Sequence, residues 1–273
     1  MNLKTALKEK IPQKYHTYIP RSFEIIGDIA IINIAPELTS YKKVIAQTLA
    51  SLHSNIKVVL SKTGDIEGEY RLADYELLFG DRTETEYKEN TCRFMVDPTK
   101  TYFSSKLGTE RQRITDQVKD KEQILCMFAG IGPFPINIAR KKDVTIHAIE
   151  INPDAAKYLE KNIAFNKLKG RITFEIGSVA DLVPKLEKKY DRIIMPAPKD
   201  AEDFLDLAFE KIKKGGIINL YTFTPEEEIE TVFKRLEKLA NDHNKKIKIL
   251  DHRLCGNIGI CQFRIAVDMK ILN

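Results

Sequence analysis

The sequence predicts an open, mostly parallel α/β sheet with helices on both faces, preceded by a smaller α+β module. Three observations carry this expectation. The apolar run Ile124-Leu125-Cys126-Met127-Phe128 ends in Ala129-Gly130-Ile131-Gly132, a tight turn that opens a helix at Phe134. A second run, Val144-Thr145-Ile146-His147-Ala148-Ile149, ends in an acid, Glu150, about 20 residues after the glycines. Strands then alternate with helical stretches to the end of the chain, which is the pattern of a parallel sheet covered on both sides.

Taken in order, the first residues carry Lys4, Lys8, Lys10 and Lys14 and are interrupted by Pro12 and Pro20, reading as a short helix or arm. Residues 23–32 read as two strands meeting at Gly27-Asp28, a hairpin signal. A helix is expected over 41–53, because Val44, Ile45, Thr48, Leu49 and Leu52 share one face. Strands follow at 58–60 and 75–79, then a polar run from 80 to 90, then Arg93-Phe94-Met95-Val96. These elements make a small α+β module over residues 1–92. Residues 93–273 form the larger domain, with helices expected over 134–140, 153–166, 201–213 and 225–241. Its further strands are expected over 172–176, 192–195, 217–222 and 263–269, the last as an added antiparallel edge. Gly215-Gly216 reads as a helix stop. Pro153 suits the first turn of the helix that follows Glu150.

Composition bounds the function classes. With 273 residues, 43% hydrophobic and 30% charged, the chain can bury a sizeable core. A net charge of +5 permits a polyanionic partner without requiring one. No stretch has the length of a membrane span, and the N-terminus has no apolar signal core. The four cysteines form no Cys-x-x-Cys pair, and Cys126 sits in an apolar strand, so reduced thiols, no metal site and a cytoplasmic location are expected.

The glycine turn carries the chemistry. Open parallel sheets bind ligands at the carboxyl ends of their strands, and an acid after the second strand suits a pair of ribose hydroxyls, since a carboxylate accepts several hydrogen bonds. Nicotinamide enzymes and S-adenosyl-L-methionine methyltransferases share this layout. Pro135 and Ile136 follow Phe134, so the third glycine of a pyrophosphate cradle is missing, whereas a Phe-x-Gly-x-Gly turn suits the methionine end of S-adenosylmethionine. The bland alternatives are a structural turn and, for Glu150, a carboxylate favoured by a helix dipole. Gly177-Ser178-Val179-Ala180-Asp181 falls where an adenine would lie, and Ser178 or Asp181 could bond its amine or be plain turn residues. After residues 191–195 comes a proline-stiffened loop, Pro196-Ala197-Pro198-Lys199, which would face the acceptor and suits a flat base beside a phosphate.

The chain resembles the archaeal and eukaryotic tRNA (guanine-37 N1)-methyltransferases and their wybutosine-pathway paralogues, which transfer an aminocarboxypropyl group from the same cofactor. The resemblance runs through Pro20-Arg21-Ser22-Phe23-Glu24-Ile25-Ile26-Gly27-Asp28, Glu67-Gly68-Glu69-Tyr70-Arg71, residues 83–90, Tyr102-Phe103-Ser104, Glu110-Arg111, Met127 to Phe134, and Glu150-Ile151-Asn152-Pro153. It implies a Rossmann-like class I S-adenosylmethionine methyltransferase domain after a small α+β tRNA-binding domain, acting as a monomer on the anticodon loop. By resemblance, Glu110 removes the N1 proton of guanine and Arg71 stabilises charge on the base oxygen. Tyr102 stacks on or positions the base, with Lys106, Pro196, Pro198 and Lys199 on the tRNA side. Cofactor positions carried over are Ser104, Arg111, Phe128, Gly130, Gly132, Glu150, Ile151, Ser178 and Val179. Without the resemblance, Glu110 would read as an exposed helix face, Arg71 as a loop salt bridge and Arg111 as a solvent-facing cation.

Gly132-Pro133-Phe134 matches the methyltransferases better than the paralogues, which carry Gly-Tyr-Phe. The loop after the fourth strand departs from the pattern, because Pro196 replaces the asparagine of Asn-Leu-Pro. Cys126 stands where an aspartate is usual and Lys106 where an arginine is usual. The chain also starts at the second domain of the fuller family members. The leading reading is methyl transfer to guanosine-37. The alternatives are a wybutosine-pathway enzyme on the same nucleotide (aminocarboxypropyl transfer, or methylation of a tricyclic guanine derivative) and a non-catalytic RNA-binding relative.

Overall fold

A computed structural model describes residues 2–196, 201–259 and 262–273, with backbone alone at 257–259 and 262. The chain divides into two compact units, Met1–Ser105 and Lys106–Asn273. The first contains α1 (Leu3–Lys8), β1 (Glu24–Ile26), β2 (Ile29–Asn33), α2 (Lys42–Leu52), β3 (Val58–Lys62), β4 (Tyr75–Phe79), β5 (Thr85–Glu89) and β6 (Cys92–Val96). Strands β1 to β4 form one sheet in that order, with β2 and β3 parallel and the other pairs antiparallel. Helix α2 makes the crossover and buries Ile45, Ala46 and Leu49 against Ala30, Ile32 and Val59.

The β1–β2 turn needs a glycine for two reasons. Gly27 has φ +59°, and a Cβ there would lie 2.3 Å from Thr85 Oγ1 and 2.4 Å from the Glu86 carbonyl oxygen. The next residue fixes this approach, since Thr85 Oγ1 donates to Asp28 Oδ1 at 2.6 Å and Arg82 pairs with the same carboxylate. Burial pushes the Asp28 carboxyl up, but these bonds outweigh it and leave the group below its usual range.

The polar run 80–90 contains a strand that its composition hides. Strand β5 pairs antiparallel with β6 through a two-residue turn in which Asn90 and Thr91 both have positive φ. Glu86 accepts two hydrogen bonds from Arg93, at 2.9 and 2.6 Å, so charged side chains lace a two-stranded ribbon instead of marking a loop. This ribbon brackets the expected boundary at 92/93.

The second unit contains α3 (Gly108–Gln117), β7 (Gln123–Cys126), α4 (Pro133–Lys141), β8 (Thr145–Glu150), α5 (Pro153–Phe165), β9 (Arg171–Ile176), α6 (Val179–Leu182), β10 (Tyr190–Met195), α7 (Leu205–Lys211), β11 (Ile212–Thr224), α8 (Ile229–Asp242), β12 (Ile247–Gly259) and β13 (Gln262–Ile271). Its seven-stranded sheet runs β12-β13-β11-β10-β7-β8-β9. From β11 to β9 the pairs are parallel, and β13 and β12 are antiparallel additions. Strand β7 continues to β8 on one side while the chain later returns to β10 on the other. The carboxyl end of β7 is therefore the topological switch point, where such sheets bind ligands.

Two expectations are corrected. Gly215-Gly216 does not stop a helix: α7 ends at Lys211, and the glycines lie within β11 where its register against β10 shifts, Tyr190 facing Ile212 and Arg192 facing Ile217. The outer antiparallel edge is β12, not the last strand. Its Ile247 and Ile249 are half-buried and alternate with exposed Lys246, Lys248 and Leu250, a charged edge whose pattern is weaker than a core strand's. Among the described residues no helix is long and apolar enough to cross a membrane.

Candidate active site

At the switch point the chain leaves β7 with Cys126 and Met127 fully buried. Phe128 follows in the left-handed region (φ 55°), a conformation costly for a non-glycine residue and characteristic of constrained functional turns. The Ala129 amide donates to the Ile149 carbonyl at 2.9 Å and the Gly130 amide to Glu150 Oε2 at 2.6 Å. Asn152 N–H donates to Glu150 Oε1 at 2.8 Å, and the Asn152 side chain then caps α5 by accepting from Asp154 N–H at 2.9 Å. Burial pushes the Glu150 carboxyl above its usual range, and backbone bonds from Asn152, Gly130 and Ile151 offset only part of this. A carboxylate has about four acceptor positions. These backbone contacts still leave an acceptor position for a ribose hydroxyl, so the residues present fit the ribose of an adenosine-bearing cofactor.

The neighbouring turns close around that carboxylate. The Gly177 amide donates to the Glu150 carbonyl at 2.9 Å, which brings the 177–179 turn to the end of β8. Ser178 caps α6, its Oγ accepting from Ala180 N–H at 3.2 Å, and Val179 is buried among Leu125, Met127 and Ile149. Gly132 has φ +89° and a Cβ there would strike Leu159 Cδ1 at 2.4 Å, so backbone and packing both call for a glycine there. The Cys126 thiol is pushed far up, chiefly by burial and further by the Glu150 charge, and stays neutral.

Glu110 lies in the first turn of α3 and is buried, 7% exposed, so the exposed-face reading is set aside. Arg113 grips it through Nε to Oε2 at 2.8 Å and Nη2 to Oε1 at 2.5 Å, and the Tyr221 hydroxyl donates to Oε1 at 2.7 Å. Arg111 beside it is 1% exposed, so it does not face solvent.

In the first unit Arg71 has φ 55°, and its guanidinium sits over the Tyr102 ring, 4.5 Å from the centroid, a cation–π contact. Tyr102 and Ser104 are half-buried, and in the second unit Lys106 is exposed. Pro196, after β10, is half-buried, while Pro198 and Lys199 lie outside the described residues.

Residues 85–250 match the TRM5/TYW2 methyltransferase domain, and residues 3–83 match the TYW2 N-terminal domain. The chain belongs to the TRM5/TYW2 methyltransferase family. It is 40% identical over 263 residues to the tRNA (guanine(37)-N(1))-methyltransferase Trm5b of Pyrococcus abyssi, covering 96% of this chain and 78% of that protein. The crystal structure of that Trm5b superposes with a TM-score of 0.86. The tRNA 4-demethylwyosine(37)-methyltransferase Taw21 of Saccharolobus solfataricus is 37% identical, covering 98% of this chain and 99% of its own length. The structure of P. horikoshii TYW2 in complex with MeSAdo superposes with a TM-score of 0.83 at 26% identity, covering 99% of this chain and 98% of that one.

In this TRM5/TYW2 chain, sequence reasoning missed the partners of Glu110. Arg113 also holds Asp268, and Asp268 accepts from Gln117 Nε2 at 2.7 Å and Asn219 Nδ2 at 2.6 Å. The signal was there in part: Asn219 and Asp268 are polar residues inside apolar strands, Ile217-Ile218-Asn219-Leu220 and Ile265-Ala266-Val267-Asp268-Met269. Buried polar groups need partners, but their pairing across strands needs the fold. Among the described residues no group of three or more His, Cys, Asp or Glu could hold a metal ion.

Proposed function

We propose that this chain is an S-adenosylmethionine-dependent tRNA methyltransferase acting on N1 of guanosine-37, as a monomer in the cytoplasm. The observation that carries it is the buried Glu150, tied to the glycine turn at 2.6 Å with acceptor capacity to spare, in a chain 40% identical to a protein of that activity. Glu150 would take the ribose hydroxyls of the cofactor, Ser104, Arg111, Phe128, Gly130, Gly132 and Ile151 the rest of its length, and the Ser178-Val179 turn its adenine. The bound cofactor supplies an electrophilic methyl group. The remaining chemistry falls to the protein, because N1 of guanine carries a proton at neutral pH and its lone pair is not available.

Glu110 is assigned as the proton acceptor. Arg113 and Tyr221 hold its plane, and among the described residues Oε2 accepts from Arg113 Nε alone, so one acceptor position on that oxygen can take the N1 proton. Arg71 is assigned to stabilise negative charge on the base oxygen and Tyr102 to stack on the base. With Lys106, Pro196, Pro198 and Lys199 on the tRNA side, these last roles rest on the family pattern.

A second reading is favoured by one observation. Residues 3–83 match a TYW2 N-terminal domain, in a chain that is also 37% identical to the 4-demethylwyosine methyltransferase Taw21. That reading keeps the cofactor and changes the acceptor to a tricyclic guanine derivative. Incubation with unmodified and tricyclic-base tRNA, using cofactor labelled separately in its methyl and aminobutyrate carbons, separates the readings by nucleoside analysis. Methyl label on guanosine-37 supports the main proposal. Methyl label on the tricyclic base alone supports the second, and aminobutyrate label or no transfer overturns both.

A further inference from the structure

Glu110 and Asp268 share one guanidinium, and the two carboxylates are unequally filled. Asp268 Oδ2 accepts from Arg113 Nη1 at 2.5 Å and Gln117 Nε2 at 2.7 Å, and Oδ1 from Arg113 Nη2 at 3.1 Å and Asn219 Nδ2 at 2.6 Å. Its four acceptor positions are thus all used. The Asn219 amide cannot turn away, because its oxygen accepts from Arg192 Nη1 at 2.8 Å, and Arg192 pairs with Glu122 at 2.9 Å. Among the described residues Glu110 has three such bonds, and its open position is on Oε2.

We infer that Asp268 and Tyr221 are positioning residues that set the basicity and orientation of Glu110, Asp268 by drawing on the charge of Arg113 and Tyr221 by pinning Oε1. This rests on the reading of Glu110 as the proton acceptor. A carboxylate paired with an arginine of its own is a weak base, since the cation favours its ionised form. A second, saturated carboxylate on the same arginine offsets that cation, while the arginine still holds Glu110 in place. The Tyr221 hydroxyl acts in the opposite sense, donating to the ionised form. Its ring lies against Phe134 at 5.5 Å, which holds the hydroxyl on Oε1.

Among the described residues, the other charged and titratable groups around the pair come from four strands and helices. From α3 comes Arg113, from β11 Tyr221, and from β13 Arg264, whose charge acts on Cys255. From β12 come Asp251, 3.8 Å from Arg113 and half in solvent, and Cys255. Burial and then the Glu110 charge push the Cys255 thiol up to about 12, so it stays neutral. Burial and the same charge push the Tyr221 phenol up as well. Asp268 is therefore the full, buried negative charge that shares Arg113 with the base.

The test is the pH profile of single-turnover methyl transfer with the full chain, tRNA and cofactor. Asp268→Asn leaves Arg113 to Glu110 alone, so the acidic limb should move to lower pH by about 1 and the plateau should fall roughly tenfold. Tyr221→Phe removes a donor to the anion, so its acidic limb should move to higher pH. Glu110→Gln should abolish the limb. A purely structural role would lower the plateau of either variant without moving the limbs in opposite directions. Folding is checked by thermal melting, and if Asp268→Asn does not fold, the Tyr221→Phe profile decides. Limbs that stay in place or move together, while Glu110→Gln removes the limb, overturn the inference and leave Glu110 as the base. A Glu110→Gln enzyme with the normal rate and limb overturns both.

Discussion

The amide of Gly130 donates to the Glu150 carboxylate at 2.6 Å, joining the turn after β7 to the last residue of β8. That bond makes Glu150 part of the turn rather than a free acid near it. Glu150→Ala should therefore weaken cofactor binding by about 1–3 kcal/mol, the cost of lost hydrogen bonds to a charged group. Calorimetry on the folded variant checks this, and an unchanged affinity would move the ribose elsewhere.

The same carboxylate gives a pH dependence with two opposite signs. Burial raises it above the ordinary 4.5, so protonation at Glu150 favours the fold, and this contribution is lost as pH rises through the raised value. Ribose hydroxyls donate to the ionised form, so cofactor affinity should fall as pH drops through that value. Titration calorimetry in buffers of different ionisation enthalpy should show a proton released on binding as pH approaches it. Binding with no pH dependence on either side of that raised value would mean that the ionised group does not meet the cofactor.

Gly132 separates packing from ligand contact. Its φ of +89° and the 2.4 Å approach of a Cβ to Leu159 Cδ1 predict that Gly132→Ala costs about 1–3 kcal/mol of stability through overpacking and strain. Denaturant unfolding measures this. A variant as stable as the parent, with weakened cofactor binding, would make ligand contact rather than packing the reason for the glycine.

What was legible in the sequence follows from local chemistry. The glycine turn and the acid that ends β8 are near neighbours in sequence, and the strand periods around them are strong, so fold and turn could be read together. The positions of Asn219 and Asp268 could not be read for role. Each sits in a strand that looks like plain core, and Arg113, which binds Asp268, is 155 positions away. Strand β12 was hidden because an edge strand carries charges on its outer face, and β5 because its ribbon is held by Glu86–Arg93 rather than by apolar pairs.

The tRNA proposal carries a salt dependence. Lys8, Lys14 and Lys106 are exposed cations, and Lys4, on α1, is half-buried. Phosphate contacts release counterions, so log affinity should fall linearly with log salt, by roughly 0.7–0.9 per contact. Filter binding of anticodon stem-loop RNA against potassium chloride gives the slope. Charge-neutral substitution of Lys8 and Lys14 together should reduce it by about 1 to 2. A flat response would exclude a phosphate-tracking surface.

The last prediction concerns Pro196, which by resemblance stands where the family's acceptor loop carries an asparagine. A proline has neither a side-chain amide nor a backbone N–H, so this position offers the acceptor base no hydrogen bond from a donor. A guanine edge that would be read by an amide then loses that bond, and a good buried contact of this kind is worth about 1 kcal/mol. Pro196→Asn should thus raise the rate on unmodified guanosine-37 tRNA by roughly three- to tenfold. On tricyclic-base tRNA, whose extra ring covers part of that edge, the same substitution should leave the rate unchanged or lower it. The ratio of the two single-turnover rates reports which base the loop was shaped for, independent of how well each preparation folds. If Pro196→Asn lowers both rates equally, the proline acts by stiffening the loop, and the acceptor is chosen elsewhere.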